Sequence, residues 1–342
     1  MRTPVDALID GRWVSLPRRF VVSAPATLAP LAEVSDCGPA ETEAAIAAAA
    51  AALPGWAGKL AKERAAILRR WFELMIARTE DLAQLITAEG GKPLAEARGE
   101  VAYGASFAEW FAEEAKRAYG RTVPTTAATR RYVTVKQPIG VVAAITPWNF
   151  PLGMVVRKAA PALAAGCTVV LKPAEATPLT ALMAAELALE AGLPPGCLNV
   201  IPTHQAAAVG QVLCDSPVVR KLSFAGSTRV GKLLAAQCAG TVKRLSLELG
   251  GNAPFLVFAD ADLDAAVAGV MAAKWRNAGQ VCTTPNRVLV ATEVHDAFAA
   301  KLVAAVAGLK VGPGAEAGVQ VGPLIDVRGL DKVQRLVEAA LA

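Results

Sequence analysis

Histidine is almost absent from this chain of 342 residues, which contains only His204 and His295. A catalytic site built on histidine, or a histidine-rich metal site, would have to use one of these two residues. His204 lies in the turn-like segment PTH and His295 opens a helical segment, so we expect both at the surface. The sequence therefore disfavours a Cys–His or Ser–His hydrolase, and it predicts no metal site.

Cysteine is also scarce, and its pattern excludes a disulfide framework. The six cysteines form no CxxC motif and no cluster with metal-ligand spacing; they are residues 37, 167, 197, 214, 238 and 282. Dispersed thiols are typical of a reducing compartment, since disulfide frameworks belong to secreted proteins. The pattern predicts a cytoplasmic protein.

Long apolar runs, a secretory signal and a basic stripe are missing as well. The alanine-rich run 44–53 is shorter than a membrane span and predicts a packed helix. Residues 1–13 contain acidic side chains and a turn where a secretory signal would have an apolar core. The net charge is 35 − 30 = +5, with the basic residues dispersed. We therefore expect neither a membrane nor a nucleic-acid partner.

The residues that are present indicate a globular protein of about two domains. Segment 8–14 (LIDGRWV) predicts a hairpin around Asp10 and Gly11. Residues 39–119 follow helical spacing, and residues 129–145 predict two strands interrupted at 137–138.

After residue 140 short apolar strands alternate with helical stretches. The strand segments are GVVAAI, TVVLKP, CLNVIP and KLSFAG, and each precedes a helical pattern. This alternation is typical of a doubly wound parallel sheet. The segment RLSLELGG then leads into a second region with two more strands, PFLVF and RVLVAT, and a helix between them. The predicted fold is a Rossmann-like doubly wound parallel sheet followed by a second α/β unit.

Cys282, in the segment NAGQVCTTPNR, has two interpretations. Most cysteines are inert packing residues. A nucleophile would instead need partial exposure and surroundings that favour the thiolate. The segment itself does not decide between them.

Two polar motifs follow predicted strands. Lys172 ends one strand and Glu175 lies just beyond it, where the pair could hold a ribose diol or form a surface ion pair. Asn149 lies in ITPWNFP, where a rigid amide donor suits an oxyanion hole, although asparagine is also an ordinary turn residue.

Two further motifs have similar positions. Gly226 and Ser227 connect a strand to a helix N-terminus, which suits a pyrophosphate but also serves as a structural turn. Glu248 lies on an apolar strand before Gly250 and Gly251, where it could act as a general base or be satisfied by turn amides.

The motifs TPWNFP, KPAE, FxGST, ELGG and GQxC together resemble the NAD(P)-dependent aldehyde dehydrogenases. They occur in that family's order and spacing, including the interval from Glu248 to Cys282, and the resemblance runs from about residue 7 to the end. It implies that Cys282 is the nucleophile, that Asn149 stabilises the oxyanion and that Glu248 is the general base.

The resemblance also implies a nicotinamide cofactor and its contacts. The expected cofactor residues are Trp148, Lys172, Glu175, Gly226, Ser227 and Leu249. A glutamate at position 175 favours NAD over NADP, because it can bond a free 2′-hydroxyl and would repel a 2′-phosphate. Some relatives with KPAE accept both cofactors.

Within the family, the chain is similar to the succinate-semialdehyde dehydrogenase branch. Arg157 and Arg276 match the arginines that hold the substrate carboxylate there, and guanidinium groups bind carboxylates bidentately. The alternative is that one or both arginines lie on helix surfaces. Thr284 occupies a position where that branch often has a second cysteine, so no disulfide with Cys282 is expected.

The family's longer chains give further expectations. They imply a cofactor domain of residues 1–128 and 142–246, the start of an oligomerisation arm at 129–141, and a catalytic domain from 247 to 342 that is incomplete at its C-terminus. The family forms homodimers and homotetramers through a strand that we expect to lie beyond residue 342. Three functions stay open: a succinate-semialdehyde dehydrogenase, a dehydrogenase of glutarate semialdehyde or another short carboxylated aldehyde, and a catalytically silent fragment.

Overall fold

The computed structural model describes residues 3–342. The strands are β1 (Ala7–Ile9), β2 (Arg12–Val14), β3 (Arg19–Ser23), β4 (Pro30–Ser35), β5 (Arg121–Val123), β6 (Tyr132–Thr134), β7 (Val141–Ile145), β8 (Thr168–Lys172), β9 (Leu198–Val200), β10 (Val219–Gly226), β11 (Arg244–Leu249), β12 (Ala253–Val257) and β13 (Pro285–Val290). The helices are α1 (Pro39–Ala57), α2 (Ala61–Ala77), α3 (Thr79–Gly90), α4 (Leu94–Ala115), α5 (Gly153–Ala164), α6 (Pro178–Glu190), α7 (Ala206–Asp215), α8 (Thr228–Ala239), α9 (Leu263–Lys274), α10 (His295–Ala307) and α11 (Val327–Leu341).

The large sheet has the strand order β11-β10-β7-β8-β9-β1-β2. The strands from β11 to β9 are parallel, which confirms the predicted sheet. The predicted hairpin is also confirmed, with φ of 52° at Asp10 and 71° at Gly11, as a tight two-residue turn requires. The hairpin extends the sheet, since Leu8 pairs with Val200 in antiparallel orientation.

Helices cover both faces of this sheet because its central strands are apolar on both sides. Along β7, Val141, Ala143 and Ile145 belong to the core under α1, α7 and α8. Ala144 belongs to the opposite core, under helices α2 to α6. Successive residues of a strand face opposite sides of the sheet, so a strand with a continuous apolar run is buried on both faces.

The second unit is smaller. Strands β12 and β13 are parallel to each other and pack with α9 and α10 around Val257, Val267, Val270 and Phe298. Strands β5 and β6 form a separate antiparallel hairpin with exposed apolar side chains at Val123, Tyr132 and Val133.

No single helix within residues 3–342 is long and apolar enough to cross a membrane. The pair α1 and α2 meets the length and composition criteria only when taken together, and it is bent by 120°.

Candidate active site

The predicted site residues converge at the carboxyl edge of the large sheet. Strands β7, β8, β10 and β11 are neighbours and end at Ile145, Lys172, Gly226 and Leu249. The motifs TPWNFP, KPAE, FxGST and ELGG lie at or directly after these ends, whereas Cys282 lies in the loop before β13. Crevices at this edge are where ligands bind in parallel α/β sheets.

Lys172 and Glu175 form an ion pair at this edge. Lys172 is buried, and its Nζ donates to Oε2 of Glu175 over 3.2 Å, while Glu175 is partly exposed. Although partial burial acts to raise it, the charge of Lys172 and hydrogen bonds hold the pKa of Glu175 below its ordinary value. The pair therefore presents an ionised carboxylate and an ammonium group side by side, which can bond to neighbouring hydroxyls.

Gly226 and Ser227 stand at the start of α8. Ser227 is the N-cap, and its Oγ accepts from the backbone N–H of Val230 over 3.3 Å. A Cβ on Gly226 would lie 2.5 Å from the ring of Phe224, so this turn needs glycine. The first residues of α8, Thr228 and Arg229, are exposed, and a helix N-terminus of this kind suits an anion. Leu249 packs against Gly231 of the same helix, and Trp148 is half-buried beyond the end of β7.

Asn149 lies against the loop that precedes Cys282. Its Nδ2 donates to the backbone carbonyl of Gln280 over 2.9 Å. An amide nitrogen has two protons, so this bond orients the second proton. This bond holds Asn149 against Gln280, which precedes Cys282 by two residues.

Cys282 is partly exposed, whereas the other five cysteines are buried. It follows a short turn in which Asn277 and Ala278 have φ of 50° and 55°. Burial, and then the charge and hydrogen bond of Glu248, raise the pKa of the Cys282 thiol, and Arg157 opposes this. These surroundings do not favour the thiolate, although the nucleophile interpretation of the segment asks for that. The thiol is kept protonated next to a carboxylate that can accept its proton.

Arg157 and Arg276 are both exposed, and the structure brings them to one aromatic cluster, formed by Tyr103, Phe107 and Phe150. Arg157 lies 5.6 Å from the ring centroid of Phe107, and Arg276 lies 5.5 Å from that of Phe150. Within residues 3–342 neither arginine has a carboxylate partner within salt-bridge distance. Two guanidinium groups are therefore available to an anionic ligand.

Lys158 is a site residue that no sequence motif predicted. Its Nζ donates to Oγ of Ser223 over 3.1 Å. Burial, followed by the charge of Arg157, lowers the pKa of Lys158 to about 8, and Glu248 acts against this shift. The available signal was a lysine on the sheet-facing side of α5, one turn after the buried Met154. Lys158 can lose its proton near neutral pH beside the acidic residue of the site.

The segment GGKPLAEARGE also contributes to the site, and no sequence motif predicted this. Lys92, Glu96 and Glu100 lie in it and contact the loops of Asn149 and Cys282. The two glutamates are four residues apart and so share one face of α4. That spacing was the available signal.

Both histidines are exposed, as predicted, and within residues 3–342 no group of acidic, histidine or cysteine side chains could hold a metal ion. The site therefore consists of a thiol, a carboxylate, an amide donor and several cations.

Comparison with known proteins identifies this arrangement. The aldehyde dehydrogenase family model matches residues 13–342. The chain is 56% identical over 338 residues to the succinate-semialdehyde dehydrogenase (NADP(+)) GabD of Escherichia coli (strain K12), covering 98% of this chain and 70% of that protein. It is 56% identical to the glutarate-semialdehyde dehydrogenase of Pseudomonas aeruginosa, over 98% of this chain and 70% of that protein. It is 55% identical to the 3-sulfolactaldehyde dehydrogenase of Pseudomonas putida, over 98% and 69%.

A solved structure agrees with these relatives. The crystal structure of succinate-semialdehyde dehydrogenase from Burkholderia pseudomallei superimposes with a TM-score of 0.97 at 57% identity, covering 98% of this chain and 70% of that one. The family and the α/β fold predicted from the motifs are confirmed. The chain belongs to the aldehyde dehydrogenase family of NAD(P)-dependent oxidoreductases.

Proposed function

We propose that the chain oxidises succinate semialdehyde to succinate with NAD(P), through a thioester on Cys282. The observation that carries this proposal is the pair Arg157 and Arg276, which lie on one aromatic cluster and have no carboxylate partner within residues 3–342. The influence of Arg157 on the Cys282 thiol supports their proximity. Two guanidinium groups near a nucleophile favour an aldehyde with an acidic tail.

The first step forms a bond between Sγ of Cys282 and the aldehyde carbon. Glu248 takes the thiol proton, because its carboxylate is close enough to the thiol to influence its pKa. The carbonyl oxygen becomes an oxyanion, which the free proton of the Asn149 amide and the backbone N–H of Cys282 stabilise. The product is a thiohemiacetal.

NAD(P), when held at the sheet edge, would accept the hydride from the thiohemiacetal carbon, and Cys282 would then carry a thioester. Glu248 releases the thiol proton to solvent and then takes a proton from water, whose oxygen attacks the thioester carbon. The carbon–sulfur bond breaks, succinate leaves and Cys282 recovers its proton.

The residues at the sheet edge fit a dinucleotide cofactor. The Lys172–Glu175 pair suits the adenosine ribose, and the turn of Gly226 and Ser227 at the N-terminus of α8 suits the pyrophosphate. Trp148 and Leu249 line the same edge. The ionised Glu175 favours NAD, since a 2′-phosphate beside it would be repelled.

A second candidate substrate is glutarate semialdehyde. The named activities of the relatives, which include oxidation of glutarate semialdehyde and of 3-sulfolactaldehyde, favour short aldehydes with an anionic tail in general. Arginine pairs select charge more strongly than chain length, so the kcat/KM values of the two semialdehydes should be compared directly.

Replacing either arginine should remove selectivity for the acidic aldehyde. In Arg157→Leu and Arg276→Leu, we expect kcat/KM for succinate semialdehyde to fall by about 10- to 100-fold, the effect of losing a charge-assisted hydrogen bond. Butanal has no carboxylate, so its kcat/KM should change by less than about threefold. The measurement is NADH formation with both aldehydes.

The matched control is Arg70→Leu, which removes an exposed arginine on α2. It should leave both aldehydes unaffected. Equal losses for butanal and succinate semialdehyde in the Arg157 and Arg276 variants would contradict the carboxylate role and leave only the family assignment.

Lys158 should add a step to the pH dependence of turnover near pH 8. Below this pH its ammonium group attracts the carboxylate of Glu248, which has to accept a proton in the reaction, and above this pH the neutral amine does not. We expect kcat to rise through about pH 8 in the parent chain. Lys158→Met, which is always neutral, should lose this step and stay at the upper level, whereas Lys158→Arg should stay at the lower one. Profiles that keep the same step in both variants would assign it to another group.

We also propose a cytoplasmic location and a pairing role for the β5–β6 hairpin. Six free thiols favour a reducing compartment. The hairpin exposes Val123, Tyr132 and Val133 outside the main sheet, as an arm that binds another subunit would. Sedimentation of the chain beside a Val133→Glu variant tests the second proposal, since a charge there should shift any oligomer toward monomer.

A further inference from the structure

A buried ion pair lies behind the proposed oxyanion site. Lys92, between α3 and α4, pairs with Glu100 of α4, and the two side chains are 3% and 0% exposed. The desolvation of two charges is costly, and apolar replacements of such pairs are often neutral or stabilising. Fold stability is therefore a weak explanation for this pair.

The pair holds the Asn149 turn at three backbone atoms. Lys92 Nζ donates to the carbonyl oxygen of Asn149 over 2.9 Å. Oε1 of Glu100 accepts from the backbone N–H of Leu152 over 3.0 Å and from that of Gly153 over 3.2 Å. Lys92 Nζ also lies 3.8 Å from the ring centroid of Phe150, the residue between these contacts.

The same helix holds the loop before Cys282. Glu96 lies one turn before Glu100, and its Oε2 accepts from the backbone N–H of Asn277 over 2.8 Å. Asn277 is in the left-handed region with φ of 50°, a conformation that needs support from its surroundings. Its Nδ2 lies 3.4 Å from the carbonyl oxygen of Asn149, so the two loops also meet directly.

We propose that Lys92, Glu96 and Glu100 are positioning residues, which set the distance between the Asn149 amide and Cys282 from α4. This inference rests on the proposed function. Oxyanion stabilisation depends on donors placed to within a fraction of an ångström, and supporting side chains provide that accuracy. None of the three residues needs to touch substrate.

The test uses acylation by p-nitrophenyl acetate, whose attack by Cys282 also produces an oxyanion and a thioester but needs no cofactor. We expect Asn149→Ala to slow acylation by about 100-fold. Lys92→Met should slow it by about 10- to 100-fold, with little change in KM. The double variant should acylate less than about threefold more slowly than Asn149→Ala alone, because no Asn149 amide remains for Lys92 to position.

Additive losses in this cycle would overturn the inference, since a general structural role does not depend on the Asn149 amide. If Lys92→Met does not fold, Glu96→Leu takes its place in the cycle, because the half-buried position of Glu96 tolerates leucine. Glu96→Gln should acylate at the rate of the parent chain, because the glutamine oxygen can again accept from the backbone N–H of Asn277. Lys243→Met is the matched control, because buried Lys243 donates to Val219 at the opposite edge of the sheet. It should lower the melting temperature and leave acylation unchanged.

The proposed function and this inference fail differently. No acylation of the parent chain, or unchanged acylation in Asn149→Ala, would overturn both. Slow acylation in Asn149→Ala together with a normal rate in Lys92→Met would overturn the positioning role alone.

Discussion

Cys282→Ala should abolish the oxidation of succinate semialdehyde, with kcat reduced by roughly 10⁴-fold or more. Alanine cannot form the carbon–sulfur bond, and neither a histidine nor a second thiol is placed to replace it. The five other cysteines are buried. The measurement is NADH formation, with iodoacetamide labelling as a second readout that should detect one reactive thiol in the parent chain and none in the variant.

Cys167→Ala is the matched control, since Cys167 is buried away from the site and is 3% exposed. Removing its sulfur should cost about 1 kcal/mol of stability and leave turnover unchanged. Turnover that survives in Cys282→Ala would contradict the thioester mechanism. If the parent chain is labelled at Cys282 but produces no NADH, the thiol is reactive and a later step of the reaction does not occur.

Glu248→Gln should separate the reactivity of the thiol from turnover. The amide keeps the size of the side chain but cannot take a proton, so we expect kcat to fall by about 10²- to 10⁴-fold. The charge of Glu248 raises the pKa of Cys282, so its removal should lower that pKa. Alkylation of Cys282 by iodoacetamide at mildly alkaline pH should therefore become faster while NADH formation becomes slower.

The time course distinguishes the two duties of Glu248. If it activates water, the variant should release about one NADH per chain and then stop, because the thioester persists. Glu190→Gln, at an exposed position on α6, should behave like the parent chain. Unchanged alkylation together with turnover within about threefold of the parent would remove Glu248 from the mechanism.

Local sequence pattern predicted the elements well, for a physical reason. The apolar strands β7 and β8 and the helices after them have a periodicity that solvent imposes on any buried segment. The Asp10–Gly11 turn was readable because only a few residues tolerate positive φ at both central positions. The pattern did not place the hairpin at the edge of the large sheet, since that depends on Leu8 meeting Val200 far along the chain.

The hydrogen bonds that hold the site loops in place could not be predicted from local sequence patterns. Lys92 and Asn149 are separated by 57 residues, Asn149 and Gln280 by 131, and Glu96 and Asn277 by 181. Charged residues within a helical pattern predict a solvated face, and nothing local indicates that this face of α4 is covered by two loops. Lys158 was missed for the same reason.

The sequence by itself determined the family and the parallel sheet, and it predicted the reacting groups, because these residues occur in short contiguous motifs. Only the tertiary structure decided the protonation states in the site. It placed Glu248 against Cys282, which keeps the thiol protonated, and it buried Lys158, which brings that lysine's pKa to about 8. Protonation depends on burial and on charges nearby in space, and those neighbours are assembled by folding.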